Sequence, residues 1–120
     1  MQTVLIVEDE LFVAFDIQDI VQESGYNPDG PYETVVDALE AVDHALPSCA
    51  ILDVRLLDGE VFPAADRLRD AGVPLIFHSG HADEIGLKAR YPGAQICPKP
   101  SSPAQLRAAL LQALEDRERA

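Results

Sequence analysis

The chain predicts an α/β fold, a parallel sheet covered by helices on both faces, and three features point to it. Short apolar runs recur along the sequence and stop at polar or charged residues, as strands buried on both faces do. Between them lie stretches with apolar residues at helical spacing. The two kinds alternate without repeat, low-complexity tract or linker, which implies one domain of right-handed βαβ units. The 120 residues suit a single core that buries roughly two-thirds of its unfolded surface.

The elements follow in order. Val4 to Val7 is an apolar run halted by Glu8 and Asp9, the first strand. Glu10 to Ser24 is helical, with Val13, Ile17, Ile20 and Val21 on one stripe and Gly25 as the stop. Tyr26 to Pro31, broken by two prolines, reads as a short strand or a loop. Thr34 to Ala45 is a second helix through Val35, Ala38, Leu39 and Val42. Cys49 to Leu52 is a buried strand ending at Asp53. Val61 to Ala71 is a third helix, punctuated by Gly72 before a strand over Pro74 to His78. Asp83 to Arg90 is a shorter helix and Ala94 to Cys97 the last strand. Pro103 to Arg119 closes the chain as a helix with Leu106, Ala109, Leu110 and Leu114 inward.

Composition excludes several functions. The net charge of −12 is spread along the chain and disfavours phosphate-backbone contact, so no nucleic-acid role is expected. No apolar run approaches the roughly 18–20 residues of a membrane span. Carboxylates by Glu8 come too early for a signal peptide. Cys49 and Cys97 lie apart and outside any CxxC pattern, which fits reduced thiols and a cytoplasmic setting.

In parallel sheets the chemistry collects at the carboxyl ends of the strands. Here those ends carry Glu8 and Asp9, then Asp53, then Ser79 and Gly80, then Lys99 and Pro100. Each piece alone is ordinary: acids at a helix start, a capping aspartate, a Ser-Gly turn, a Lys-Pro loop. Together they share one logic. Clustered carboxylates repel, and a hard divalent cation such as Mg²⁺, or Mn²⁺, relieves them. A carboxylate held beside that ion can attack phosphorus, while an ammonium and a hydroxyl meet the phosphoryl oxygens.

These residues resemble the receiver domain of two-component response regulators. The likeness runs through Val4-Leu5-Ile6-Val7-Glu8-Asp9-Glu10, Ala50-Ile51-Leu52-Asp53, Pro74-Leu75-Ile76-Phe77-His78-Ser79-Gly80 and Pro98-Lys99-Pro100. Asp53 follows Asp9 by 44 residues, Ser79 follows Asp53 by 26, and Lys99 follows Ser79 by 20. The resemblance implies a doubly wound, five-stranded parallel sheet of flavodoxin-like (βα)5 order, with residues 1–120 as one receiver domain. It implies Asp53 as phospho-acceptor and Mg²⁺ held by Asp9, Asp53 and the main-chain oxygen of Arg55, with Glu8 beside it or acting through water. Ser79 would be the switch hydroxyl and Lys99 the phosphate-binding ammonium.

Several positions depart from that family's pattern. The run after Asp53 lacks the usual proline and reaches Gly59 two residues early, so the loop is shortened. Ile96 stands where the family has a rotating aromatic, and Ser101 where a Phe is common. The Phe77 to Gly80 stretch is similar to a stand-alone alphaproteobacterial group carrying Phe-Ala-Thr-Gly-x-Tyr, from which His78 and Ser79 differ. With no aromatic at 96, the moving surface is expected over Ser79 to Arg90.

Other residues complete the reading. Leu11, Phe12 and Phe15 fall off the first helix's stripe and form either a wide core face or a docking patch for a kinase or phosphotransfer helix. His78 is read as a strand residue packed on one face, and His44 as surface. Arg55 and His81 border the site and would modulate the phosphoryl lifetime, with Arg55 pairing to Glu8 or Asp58 before phosphorylation. No module follows the last helix, so output is expected by protein contact or onward phosphotransfer, the partners being a histidine kinase or histidine phosphotransfer protein and an unidentified output protein. A haloacid-dehalogenase-like phosphatase is one alternative; it would want Asp-x-Asp after the first strand, where Glu8 and Asp9 are adjacent. A pseudo-receiver that only binds partners is the other.

Overall fold

Side chains alternate across a strand, so strands apolar at every position must be covered on both faces. The computed structural model, which describes residues 2–80 and 84–119 with side chains to residue 115, meets that demand with helices on each side. In chain order the elements are β1 (Thr3–Val7), α1 (Leu11–Glu23), β2 (Asn27–Tyr32), α2 (Val35–His44) and β3 (Cys49–Leu52). The hairpin strands β4 (Arg55–Leu56) and β5 (Gly59–Glu60) and then α3 (Phe62–Asp70) come next. The chain closes with β6 (Leu75–Ser79), α4 (Glu84–Arg90), β7 (Gln95–Pro98) and α5 (Pro103–Arg119).

Five strands form one parallel sheet in the order β2-β1-β3-β6-β7. Counted along that sheet alone this is 2-1-3-4-5, the expected flavodoxin-like order. The alternation sorts the core in two. Leu5, Val7, Ala50, Leu52, Leu75 and Phe77 face α2, α3 and α4, where Val35, Ala38, Ala64, Leu68 and Leu87 cover them. Val4, Ile6, Cys49, Ile51 and Ile76 face α1 and α5, covered by Ile17, Ile20, Leu106 and Leu110. Most of the inward residues expected of the helices are buried; Val13 and Leu39 are half-buried at the edges of their stripes.

Two elements differ from the sequence reading. Residues 27–32 form a full edge strand despite two prolines, because an edge strand needs only one row of its backbone donors. Its register against β1 shifts between Leu5 and Val7, where Gly30 takes φ +115°. A Cβ on Gly30 would stand 2.5 Å from the Ile6 carbonyl oxygen, so only glycine lets the edge strand close. The shortened loop after Asp53 is no simple loop but the β4–β5 hairpin, with Arg55 opposite Glu60 and Leu56 opposite Gly59. At its turn the Asp58 carboxylate accepts the backbone N–H groups of Val35 (2.7 Å) and Val36 (3.3 Å). Thr34 Oγ1 accepts the Asp37 N–H, so three oxygens from two side chains far apart in the sequence cap α2. Those N–H groups hold the Asp58 carboxyl below its usual range.

Candidate functional site

The strand order reverses between β1 and β3: β1 leads on to β2 on one side and β3 on to β6 on the other. Such a switch point opens a crevice at the carboxyl ends of the strands. Val7 pairs with Leu52, and the Asp53 N–H donates to the Val7 carbonyl at 2.8 Å. This register puts Glu8 and Asp9 beside Asp53. One carboxylate oxygen from each of Glu8, Asp9 and Asp53 lies within 4.8 Å of the others. The next strands deliver the cation. Ser79 ends β6 opposite Pro98, and the Lys99 N–H donates to the Ser79 carbonyl at 3.2 Å.

Lys99 Nζ stands 2.7 Å from Glu8 Oε1 and donates to Asp53 Oδ2 at 3.1 Å; Glu10 Oε1 lies further off at 3.8 Å. Glu8 and Asp53 are buried, as is Ser79. Glu8 Oε2 also accepts the Glu10 N–H at 3.1 Å. Burial pushes the Glu8 carboxyl up to about 7; Lys99 works against that rise and neighbouring Asp53 adds to it. Burial opposes the charge of Lys99, yet Glu8 and Asp53 outweigh it and hold the ammonium above its ordinary value.

Asp9, Glu10, Asp53, Arg55, Gly80 and Lys99 line a cleft of about 200 Å³. Three clustered carboxylate oxygens beside an opening to solvent fit a divalent cation of the Mg²⁺ kind. Glu8, Asp9 and Asp53 each offer a carboxylate oxygen to such an ion, and Arg55 lines the same cleft.

The structure brings Glu8, Asp9, Asp53 and Lys99 together, with Ser79 at the end of β6 bonded through its carbonyl to the Lys99 N–H. Arg55 lines the cleft with an exposed side chain, but the pairs to Glu8 and Asp58 do not form. Glu8 is taken by Lys99 and Asp58 by the start of α2, so Arg55 has no ion pair with a described residue. His81 lies outside the described residues. Leu11, Phe12 and Phe15 are 49%, 89% and 50% exposed, which decides for a surface patch over a core face. Ile96 is half-buried against the core on the α2–α4 side. His44 is on the surface, in the last turn of α2.

Sequence reading missed three features. Glu10 joins the ion-pair cluster, and its place in the Glu8-Asp9-Glu10 run was the available signal. Ser102 and Gln105 form a reciprocal capping box at the start of α5, a spacing the sequence does display. His78 reaches Ser101, with 2.8 Å between Nε2 and Oγ, so two departures from the family pattern are contact partners.

Comparisons with known proteins agree with this geometry. The model of the response regulator receiver domain family matches residues 4–111. The phyllosphere-induced regulator PhyR of Methylorubrum extorquens is 31% identical over 114 residues, covering 92% of this chain and 43% of its own length. The chain therefore spans less than half of that relative. A response regulator receiver protein of Sinorhizobium medicae has TM-score 0.85 at 25% identity, over 97% of this chain and 96% of its own. A double mutant of the anti-anti-sigma factor PhyR of Bartonella quintana has TM-score 0.81 at 26% identity, over 99% of this chain and 50% of its own.

Proposed function

The chain belongs to the response regulator receiver family, and from that premise we propose that it accepts a phosphoryl group on Asp53 from a phosphohistidine of a kinase or phosphotransfer protein. The observation that carries this reading is the buried Asp53 carboxylate, 3.1 Å from Lys99 and clustered with two further acids at the sheet's switch point. The haloacid-dehalogenase alternative has no support beside this family match.

In the transfer an Asp53 carboxylate oxygen attacks phosphorus, the phosphorus–nitrogen bond to the donor imidazole breaks, and the imidazole leaves with that electron pair. Asp9, Asp53 and the Arg55 carbonyl, with Glu8 beside them, would hold a divalent cation, which would supply positive charge for the phosphoryl oxygens. Lys99 Nζ already touches Asp53 and has only to turn its N–H groups from the carboxylate to a phosphoryl oxygen. The Ser79 hydroxyl donates to another. Each charge-assisted bond contributes roughly 1.5–3 kcal/mol, and two together roughly match the 5.5 kcal/mol that moves a population from 1:99 to 99:1. The responsive surface is the Ser79 to Arg90 segment, since Ile96 carries no aromatic ring to rotate.

Leu11, Phe12 and Phe15 form the docking face for the donor's helix, directly after Glu10 at the cleft. Arg55, which lines the cleft, and His81 set the phosphoryl lifetime. Output passes through protein contact or onward phosphotransfer; the anti-anti-sigma description of the Bartonella quintana relative supports a protein target. The test is intact mass after acetyl phosphate and Mg²⁺. An acid-labile adduct in wild type that Asp53→Asn abolishes is the expected result. An adduct retained by Asp53→Asn refutes the acceptor assignment, and none in wild type leaves a module that works without phosphorylation.

A further inference from the structure

His78 sits on β6 immediately before Ser79, and the pleat sends its side chain to the opposite face of the sheet. It is buried, and its Nε2 lies 2.8 Å from Ser101 Oγ, two residues beyond Lys99. Its Nδ1 is buried without a hydrogen-bond partner among the described residues. A buried imidazole with one nitrogen unpaired is costly, so the single bond it does make has to matter to the arrangement. That bond completes a set of ties on the loop carrying Lys99. The loop is held at its start by the Lys99 N–H on the Ser79 carbonyl, at 3.2 Å. Beyond Ser101 the Ser102–Gln105 capping box anchors the start of α5. Between these anchors the His78–Ser101 contact is the side-chain link back to β6.

We propose that His78 is a positioning residue: through Ser101 it clasps the β7–α5 loop to β6 and so holds the Lys99 ammonium in place at Glu8 and Asp53. Ser79 and Lys99 then move as one body, because residues 78 and 79 are neighbours on one strand and residues 99 and 101 neighbours on one loop. For phosphoryl transfer this rests on the function proposed above, but the position of Lys99 can be read without it.

The chain has two lysines, Lys88 and Lys99, so Lys88 is an internal reference for amine acylation. Metal-free protein is treated with a limiting amount of acetic anhydride, and the Lys99-to-Lys88 labelling ratio is read by peptide mass spectrometry. His78→Ala and Ser101→Ala should each raise that ratio roughly fivefold, the range of one lost hydrogen bond. The double variant should raise it no further, and Ser101→Thr, which keeps the hydroxyl, should stay at the wild-type ratio. The same variants should slow acetyl phosphate labelling of Asp53 through its maximal rate rather than its half-saturating concentration. An unchanged acylation ratio in both single variants overturns the proposal. So does a ratio raised by His78→Ala alone, which would make the histidine a packing residue. A wild-type chain that takes no phosphate refutes the functional reading while the acylation ratios still decide the clasp.

Discussion

Replacing Glu8 by glutamine removes the one buried acid of the site whose titration falls near neutral pH. Its carboxyl is raised from 4.5 to about 7, chiefly by burial. A rise of that size is worth about 3 kcal/mol between the two protonation states. Between those two values the native state holds a proton that the unfolded chain has released. Native protein then binds more protons, and stability falls as pH rises. The contribution is fully present below 4.5 and lost once pH passes about 7. The amide of the variant cannot titrate, so the stability difference between Glu8→Gln and wild type should grow by about 3 kcal/mol from pH 4.5 to pH 8. His78, lowered mainly by burial, titrates in both proteins and cancels in that difference. The assay is urea unfolding in EDTA across this range, repeated with saturating Mg²⁺. The metal should restore wild type at pH 8, since a cation rewards the ionised carboxylate. Two curves that run parallel across the range would refute the assignment of a destabilising, ionising Glu8.

Three further outcomes are expected. Phe12→Ala should leave thermal stability and acetyl phosphate labelling unchanged, since the ring is 89% exposed, while slowing transfer from the partner at least severalfold; equal slowing of both would place Phe12 in the site's own architecture. Asp9→Ala should weaken Mg²⁺ binding, read by calorimetry, by roughly tenfold or more, which corresponds to about 1.4 kcal/mol. Gly30→Ala should cost about 2–3 kcal/mol in thermal unfolding, because φ is +115° and the new Cβ would meet the Ile6 carbonyl.

Much of the fold was legible because its signals are local. The runs at Val4 to Val7, Cys49 to Leu52 and Pro74 to His78 are apolar on both faces up to His78, which marks them as central strands. The helices between them carry their stripes in the sequence. Once strands and helices alternate, handedness and order bring Glu8, Asp9, Asp53, Ser79 and Lys99 to one edge. Strand β2 reads between strand and loop by the same logic: Pro28, Gly30 and Pro31 are poor strand formers, and its pairing with β1 makes them extended.

What tertiary structure alone decided are matters of proximity and exposure. Asp58 caps a helix that begins 23 residues earlier, and the same contact denies it to Arg55. Leu11, Phe12 and Phe15 have the same periodicity whether covered or bare, and only the packing of α1 against α5 and β2 leaves them outside. The acid at position 8 reads as one of a pair in sequence, but its burial moves its ionisation toward neutrality. His78 and Ser101 are each an isolated departure until the β6–β7 register brings them to 2.8 Å. Periodicity and strand ends are properties of neighbouring residues and survive in a string of letters. Caps, ionisation and clasps depend on which surfaces meet, and the chain has to close before those exist.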